Sequence, residues 1–234
     1  MSEEAVLFIQ KEVVATGQAL LHKNLVTGTW GNVSARVPES HYIAITPSGS
    51  DYRYLSPADI SIVDLQGRVI TGEKKPSSEL LLHLAIYQAR PDVGAVVHTH
   101  SVFASACAVA HKPIPPIIED LVQLVGGSVD VAEYSLPGTR ELAANAVKAL
   151  QNKQAILMAN HGMAGCGRSL NEALTACELV EKAAQILIYA QQLGGAQVLG
   201  PADVAVMHGF YRQHYGGEIH TQTVRGTNDG KNID

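Results

Sequence analysis

Only three of the 234 residues are cysteine, Cys107, Cys166 and Cys177. An odd number without a Cys-x-x-Cys pair points to neither a disulfide framework nor a thiolate zinc site, and a reducing, cytoplasmic setting is expected. Basic runs are also missing. Seventeen Lys plus Arg against 22 Asp plus Glu leave a net charge of −5, so the electrostatic footprint of a nucleic-acid binder is absent and small or acidic partners stay open. No segment approaches the ~18 consecutive apolar residues that a membrane span needs. The opening MSEEAVLFIQKE puts acid before a short apolar stretch, the reverse of a secretory signal. The expectation is a soluble intracellular protein with no nucleic-acid and no membrane partner. Internal repeats and low-complexity linkers are lacking too, which sets aside solenoids and a two-domain split.

What is present is apolar. Hydrophobic residues make up 46% of the chain and charged residues 17%, too greasy and too weakly charged for disorder over most of its length. At 24.9 kDa the chain can bury a large core. One α/β domain over residues 1–215 is expected, followed by a polar tail at 216–234.

Periodicity places an amphipathic helix over Glu3 to Lys23 and short strands over Asn32 to Val37 and His41 to Thr46. A second strand pair runs through Ile60 to Asp64 and Arg68 to Ile70, and a helix follows from Ser77 to Ala89. Gly94 to Thr99 is an apolar, β-branched run of the buried-strand kind. Helices are predicted over Ser101 to Ala110, Ile117 to Val125, Arg140 to Leu150, Asn171 to Leu193 and Pro201 to Tyr215, with a buried strand at Ala155 to Ala159.

Chemistry concentrates at strand ends. In His98-Thr99-His100 the two imidazoles fall on one side of a strand, about 7 Å apart along the chain, and can share a metal. His161, in Asn160-His161-Gly162, ends the second buried strand and offers a third ligand. Glu79 can add a carboxylate that ligates a resting metal and leaves when substrate arrives. Taken alone, a His-x-His pair is more often two unrelated histidines than a metal site, and His161 brings the two readings level. His22, His41, His111, His208, His214 and His220 lack this context, and His83 reads as packing on its helix; none is assigned a function. Ser77 and Ser78, at a predicted helix start, outline an anion site or an ordinary serine cap. The Gly28-Thr29-Trp30-Gly31-Asn32 loop and the Thr46-Pro47-Ser48-Gly49 turn add possible N–H, amide and hydroxyl donors.

In order, G-T-W-G-N-V-S (28–34), I-T-P-S-G (45–49), K-P-S-S-E (75–79), A-V-V-H-T-H-S (95–101), P-G-T-R-E-L (137–142) and A-N-H-G (159–162) resemble the class II aldolase/adducin family. The resemblance runs from about residue 5 to 215, nearly the whole chain. It implies a three-layer α/β/α domain around a central mixed sheet and a C4 homotetramer with interface active sites. It further implies Zn²⁺, or another divalent ion such as Mn²⁺ or Co²⁺, held by His98, His100 and His161 with Glu79 close by. Gly31, Asn32, Ser48, Gly49, Ser77 and Ser78 would hold the phosphate of a phosphorylated sugar or sugar acid. The implied reaction is reversible cleavage of a ketose 1-phosphate, of the fuculose or ribulose type, to dihydroxyacetone phosphate and an aldehyde. Its enediolate is stabilised by the divalent ion acting as a Lewis acid. Glu79 would then move the proton at C3. The same family holds decarboxylases, dehydratases, 4-epimerases and adducin-like interaction modules that lack the metal site.

One segment departs from the pattern. Where aldolases of the family carry a tyrosine shortly before a Gly-Gly pair, this chain reads I-I-E-D-L-V-Q-L-V-G-G and offers Glu119 and Asp120. Asp120 is the candidate for taking the C4 hydroxyl proton. The alternative is a solvated acidic pair, with Tyr211 or Tyr215 reaching a neighbouring subunit's site.

Overall fold

The computed structural model describes residues 1–215; the tail expected at 216–234 lies outside the described residues. The elements are α1 (Glu3–His22), β1 (Asn32–Arg36), β2 (Ile43–Ile45), β3 (Ser61–Val63), β4 (Val69–Thr71), α2 (Leu80–Ala89), β5 (Ala95–Thr99), α3 (Val102–Val109), α4 (Glu119–Val125), β6 (Val131–Ala132), α5 (Arg140–Leu150), β7 (Ala155–Met158), β8 (Gly162–Gly167), α6 (Leu170–Gln192) and α7 (Pro201–His214). The strands form one sheet in the order β4-β3-β2-β1-β5-β8-β7-β6. Every neighbouring pair is antiparallel except β6 and β7, which run parallel, so the sheet is mixed.

Strand alternation sorts side chains into two layers. Val33, Ala35, Val97, Leu157 and Met163 face the side covered by α1, α3, α4 and α6, meeting residues such as Val13, Ala108, Leu121 and Val180. Val96, Ile156, Met158, Ala164 and Cys166 face the other side, against Leu82 and Ile86 of α2 and Leu142 and Ala146 of α5. This is the α/β/α sandwich. Burying one such aliphatic side chain contributes about 1.5–3 kcal/mol, so the two apolar layers supply the driving force against which a polar site can be built. The main helices start at side-chain caps: Ser2 for α1, Thr139 for α5 and Ser169 for α6 each accept a backbone N–H from the first turn. Among the described residues, no helix is long and apolar enough to cross a membrane.

Three local features differ from the sequence reading. The helix expected from Ser77 begins at Leu80, with Glu79 at its N-cap. Residues 75–77 are held extended instead: Ser48 N–H donates to the Lys75 carbonyl and Ser77 N–H to the Thr46 carbonyl, both at 3.0 Å. That tie keeps the chain out of helix until Glu79. Strand β8 went unnoticed because its sequence, G-M-A-G-C-G, has poor strand propensity. Its glycines serve close packing: a Cβ at Gly165 would sit 2.7 Å from Cys177 Sγ and 2.9 Å from the Ala173 carbonyl, so α6 can lie against β8 only over a bare backbone. Strand β6, two residues long, carries no periodicity to detect.

Candidate metal centre and active site

Strand β5 lies between β1 and β8, and its alternation turns His98 toward α2. Register places Asn32 of β1 opposite His98 on one side and Ala164 of β8 on the other. His100 follows just beyond the strand end. At the end of β7, Asn160 takes a left-handed φ of 53° and the His161 N–H donates to the Met158 carbonyl at 3.0 Å, a tight turn that delivers the third imidazole. Glu79, at the α2 N-cap, completes the group from the adjacent layer.

The ligating atoms of Glu79, His98, His100 and His161 all lie within 4.8 Å of one another. His98 Nδ1 donates to the Met163 carbonyl at 2.7 Å. This leaves His98 Nε2 facing Glu79 Oε2 and His100 Nε2, each 2.9 Å away. Glu79 Oε2 also accepts from Asn32 Nδ2 at 3.1 Å. Glu79 Oε1 is 3.3 Å from His161 Nε2 but without hydrogen-bond geometry, and it is a buried atom with no partner among the described residues. These side chains aim their donor atoms at one point, an arrangement that could hold a metal ion.

Electrostatics agree. Burial on its own would raise the Glu79 carboxyl, but the charge and hydrogen bond of His98, then His161 and Asn32, hold it far below the usual carboxylate range. Burial pushes His98 down, and the Glu79 carboxylate outweighs it, so the net direction is up. Burial, reinforced by His98, pushes His100 down to about 3 and His161 to about 4. These two rings therefore present lone pairs at neutral pH. Three imidazoles and a carboxylate form the donor set that suits a divalent ion of the zinc kind, and the residues fit such an ion.

A cavity of 150 Å³ opens above the cluster. All six residues expected at the phosphate, Gly31, Asn32, Ser48, Gly49, Ser77 and Ser78, line it together with Glu79, His100 and His161, while His98 is fully buried behind them. Gly31 has φ +96°, and a Cβ there would meet the His98 carbonyl at 2.8 Å, so this wall of the cavity admits only glycine. The donors are not all available. Ser48 and Ser77 spend their N–H groups on the ladder to residues 46 and 75, and Ser77 Oγ accepts from the Glu79 N–H at 3.2 Å. Among the described residues, the N–H groups of Gly49 and Ser78 are not spent on other backbone groups. Larger clefts, of 590, 640 and 410 Å³, lie elsewhere and hold none of the histidine cluster.

Asp120 is not brought to this cavity within its own chain: it pairs with Lys182 of α6, and its Oδ1 accepts from the Leu121 N–H at 2.8 Å. Glu119, Tyr211 and Tyr215 do not line the cavity either. Trp30 and Pro137 do, although neither carries a chemical signal in the sequence that marks it as a site residue. His83 was also missed: it is fully buried directly behind Asn32. Its one sequence signal is the four-residue spacing from Glu79, which puts both at one side of α2.

Residues 11–188 match the model of the class II aldolase and adducin N-terminal domain. The chain is 37% identical over 190 residues to a 5-deoxy-D-ribulose 1-phosphate aldolase of Bacillus thuringiensis serovar kurstaki, covering 81% of this chain and 89% of that one. It is 37% identical over 180 residues to an L-fuculose phosphate aldolase of Escherichia coli O6:H1, covering 77% and 82%. Among solved structures, an L-fuculose 1-phosphate aldolase superposes with a TM-score of 0.85 at 35% identity, over 91% of this chain and 98% of that one. With a family match over most of its length and with relatives this similar, the chain belongs to the class II aldolase and adducin N-terminal domain family.

Proposed function

We propose that this protein is a divalent-metal class II aldolase that reversibly cleaves a ketose 1-phosphate, of the fuculose or ribulose type, to dihydroxyacetone phosphate and an aldehyde. The observation that carries the reading is the convergence of Glu79 with His98, His100 and His161 beneath a cavity lined by phosphate-type donors. The names of the similar proteins, aldolases acting on fuculose phosphate and deoxyribulose phosphate, support the same substrate class.

In this reading His98, His100 and His161 hold the ion, with Glu79 beside them. When bound, the ion supplies Lewis-acid stabilisation of the charge that builds on the substrate oxygens as the C3–C4 bond breaks. The N–H groups of Gly49 and Ser78, the hydroxyls of Ser48, Ser77 and Ser78, the second N–H of Asn32 and the tight loop at Gly31 grip the phosphate and fix its orientation. Glu79 Oε1, the carboxylate oxygen left without a hydrogen bond, takes and returns the proton at C3. No lysine Schiff base is needed.

The ion is assigned as Zn²⁺, with Mn²⁺ or Co²⁺ as substitutes, in a single domain over residues 1–215 of a cytoplasmic homotetramer. A second acid/base must take the C4 hydroxyl proton. We assign it to Asp120, contributed across a subunit interface, since its exposed pair with Lys182 is worth only about 0–1 kcal/mol and can be exchanged for other contacts. Measuring kcat for Asp120→Asn beside Tyr211→Phe tests this; a large loss in the tyrosine variant alone would move the role there.

The function itself is tested by following dihydroxyacetone phosphate release from a panel of ketose 1-phosphates and 3-oxo acid phosphates, with and without chelator. Metal-dependent release from a ketose 1-phosphate is expected. Turnover of the 3-oxo acids alone, with loss of CO₂, would replace the aldolase reading by a decarboxylase.

A further inference from the structure

Behind the site runs a row of buried polar groups on the α2 side of β1. Tyr87 OH lies 2.8 Å from Ser34 Oγ, and Ser34 Oγ 2.6 Å from His83 Nδ1. His83 Nε2 is in hydrogen-bond contact with Asn32 Oδ1, and Asn32 Nδ2 reaches Glu79 Oε2 at 3.1 Å. Tyr87, Ser34, His83 and Asn32 are all buried, and His83 has no exposed surface.

The direction of every proton in this row follows from its last member. Asn32 Nδ2 donates to Glu79 Oε2, so the amide turns Oδ1 the other way. An acceptor then faces His83, so Nε2 carries the hydrogen. Burial pushes His83 down to about 3, so the ring is neutral at physiological pH and Nδ1 is a bare lone pair. Ser34 must therefore donate to Nδ1, and Tyr87, kept protonated by burial, donates to Ser34. Each link runs one way, toward the carboxylate. Without a donor at His83, Asn32 Oδ1 is left buried without its partner, and the contact to Glu79 alone holds the amide.

We propose that His83 is a positioning residue for the reaction: locked as the Nε2–H tautomer by Ser34 and Tyr87, it orients the Asn32 amide, which holds Glu79 Oε2 and leaves Oε1 for proton transfer. The inference rests on the assignment of Glu79 as the acid/base of the site. It gives a use to the buried polar row that phosphate binding and metal ligation leave unexplained.

The test compares His83→Phe, which keeps the ring volume without the donor, with His83→Gln, whose amide can donate to Asn32 and accept from Ser34. His83→Phe should lower kcat roughly 10–100-fold, the scale of a small misplacement of a reacting group. It should still bind one zinc per chain, and His83→Gln should recover most of the loss. Adding Asn32→Ala to His83→Phe should cost nothing beyond Asn32→Ala alone. Unchanged kcat in His83→Phe, no recovery in His83→Gln, or additive losses would each overturn the assignment.

Two measurements do not depend on turnover. ¹⁵N spectra of histidine-labelled, zinc-loaded wild-type protein should show His83 with a protonated Nε2 and a bare Nδ1; the opposite tautomer overturns the proposal even if His83→Phe does not fold. A crystal structure of zinc-loaded His83→Gln should keep the Asn32–Glu79 contact. If wild-type protein cleaves no ketose 1-phosphate, the functional reading fails, and these two measurements still decide the role of His83.

Discussion

Glu79 and Glu172 are buried to nearly the same degree, 6% and 4% exposed, yet they are chemically opposite. Glu172, in the first turn of α6, spends both oxygens on Arg168: Oε2 accepts its backbone N–H at 2.6 Å and Oε1 its guanidinium at 2.9 Å. Glu79 has Oε2 held by Asn32 and His98 and Oε1 without a hydrogen bond. Burial does not separate a saturated carboxylate from an open one. The difference lies in whether its lone pairs are used up, because a saturated carboxylate surrenders a full set of charge-assisted bonds before it can move a proton.

Four variants test that comparison, ordered by their effect on turnover. His161→Ala removes an imidazole from the partly satisfied cluster and should abolish stoichiometric zinc binding and activity together. Full zinc occupancy by metal analysis of this variant would sink the site. Glu79→Gln should keep zinc and fold but lose ~10²–10⁴-fold in kcat, the range expected on removing a general acid/base. Near-wild-type turnover would end the acid/base assignment. Ser77→Ala with Ser78→Ala removes two hydroxyls from the cavity lining. A hydrogen bond to a charged group is worth about 1.5–3 kcal/mol, so KM for phosphorylated substrates should rise at least about tenfold with little change in kcat. An unchanged KM would put the phosphate elsewhere. Glu172→Gln should leave turnover intact and cost roughly 1–3 kcal/mol of stability in denaturant unfolding, since it weakens the bonds to Arg168. If instead it lost turnover as Glu79→Gln does, the distinction between saturated and open carboxylates would collapse.

Much of the candidate metal centre was legible because it depends on local rules. Alternation along a strand is enough to put His98 and His100 on one side, and a glycine-containing turn after a second buried strand marks His161. The six cavity residues were visible through ordered motifs. Asp120 was chosen by its position along the chain, and position along the chain does not reveal what the folded side chain meets, here Lys182 of α6. His83 was passed over because a histidine within an apolar helix has the same appearance whether it faces leucine or an asparagine amide.

By itself the amino-acid sequence determined the types of most elements, β6 and β8 excepted, the apolar periodicities of the two layers and the identity of the metal-type donors, because each depends on neighbours within a few residues. The tertiary structure alone decided the rest. It set the register of Asn32 against His98, the postponed start of α2 at Leu80 and the approach of α6 to the bare backbone of β8. It also set the one-way row from Tyr87 to Glu79. These features depend on pairings between segments far apart in the chain, where a shift of one residue would turn every side chain to the opposite face of the sheet.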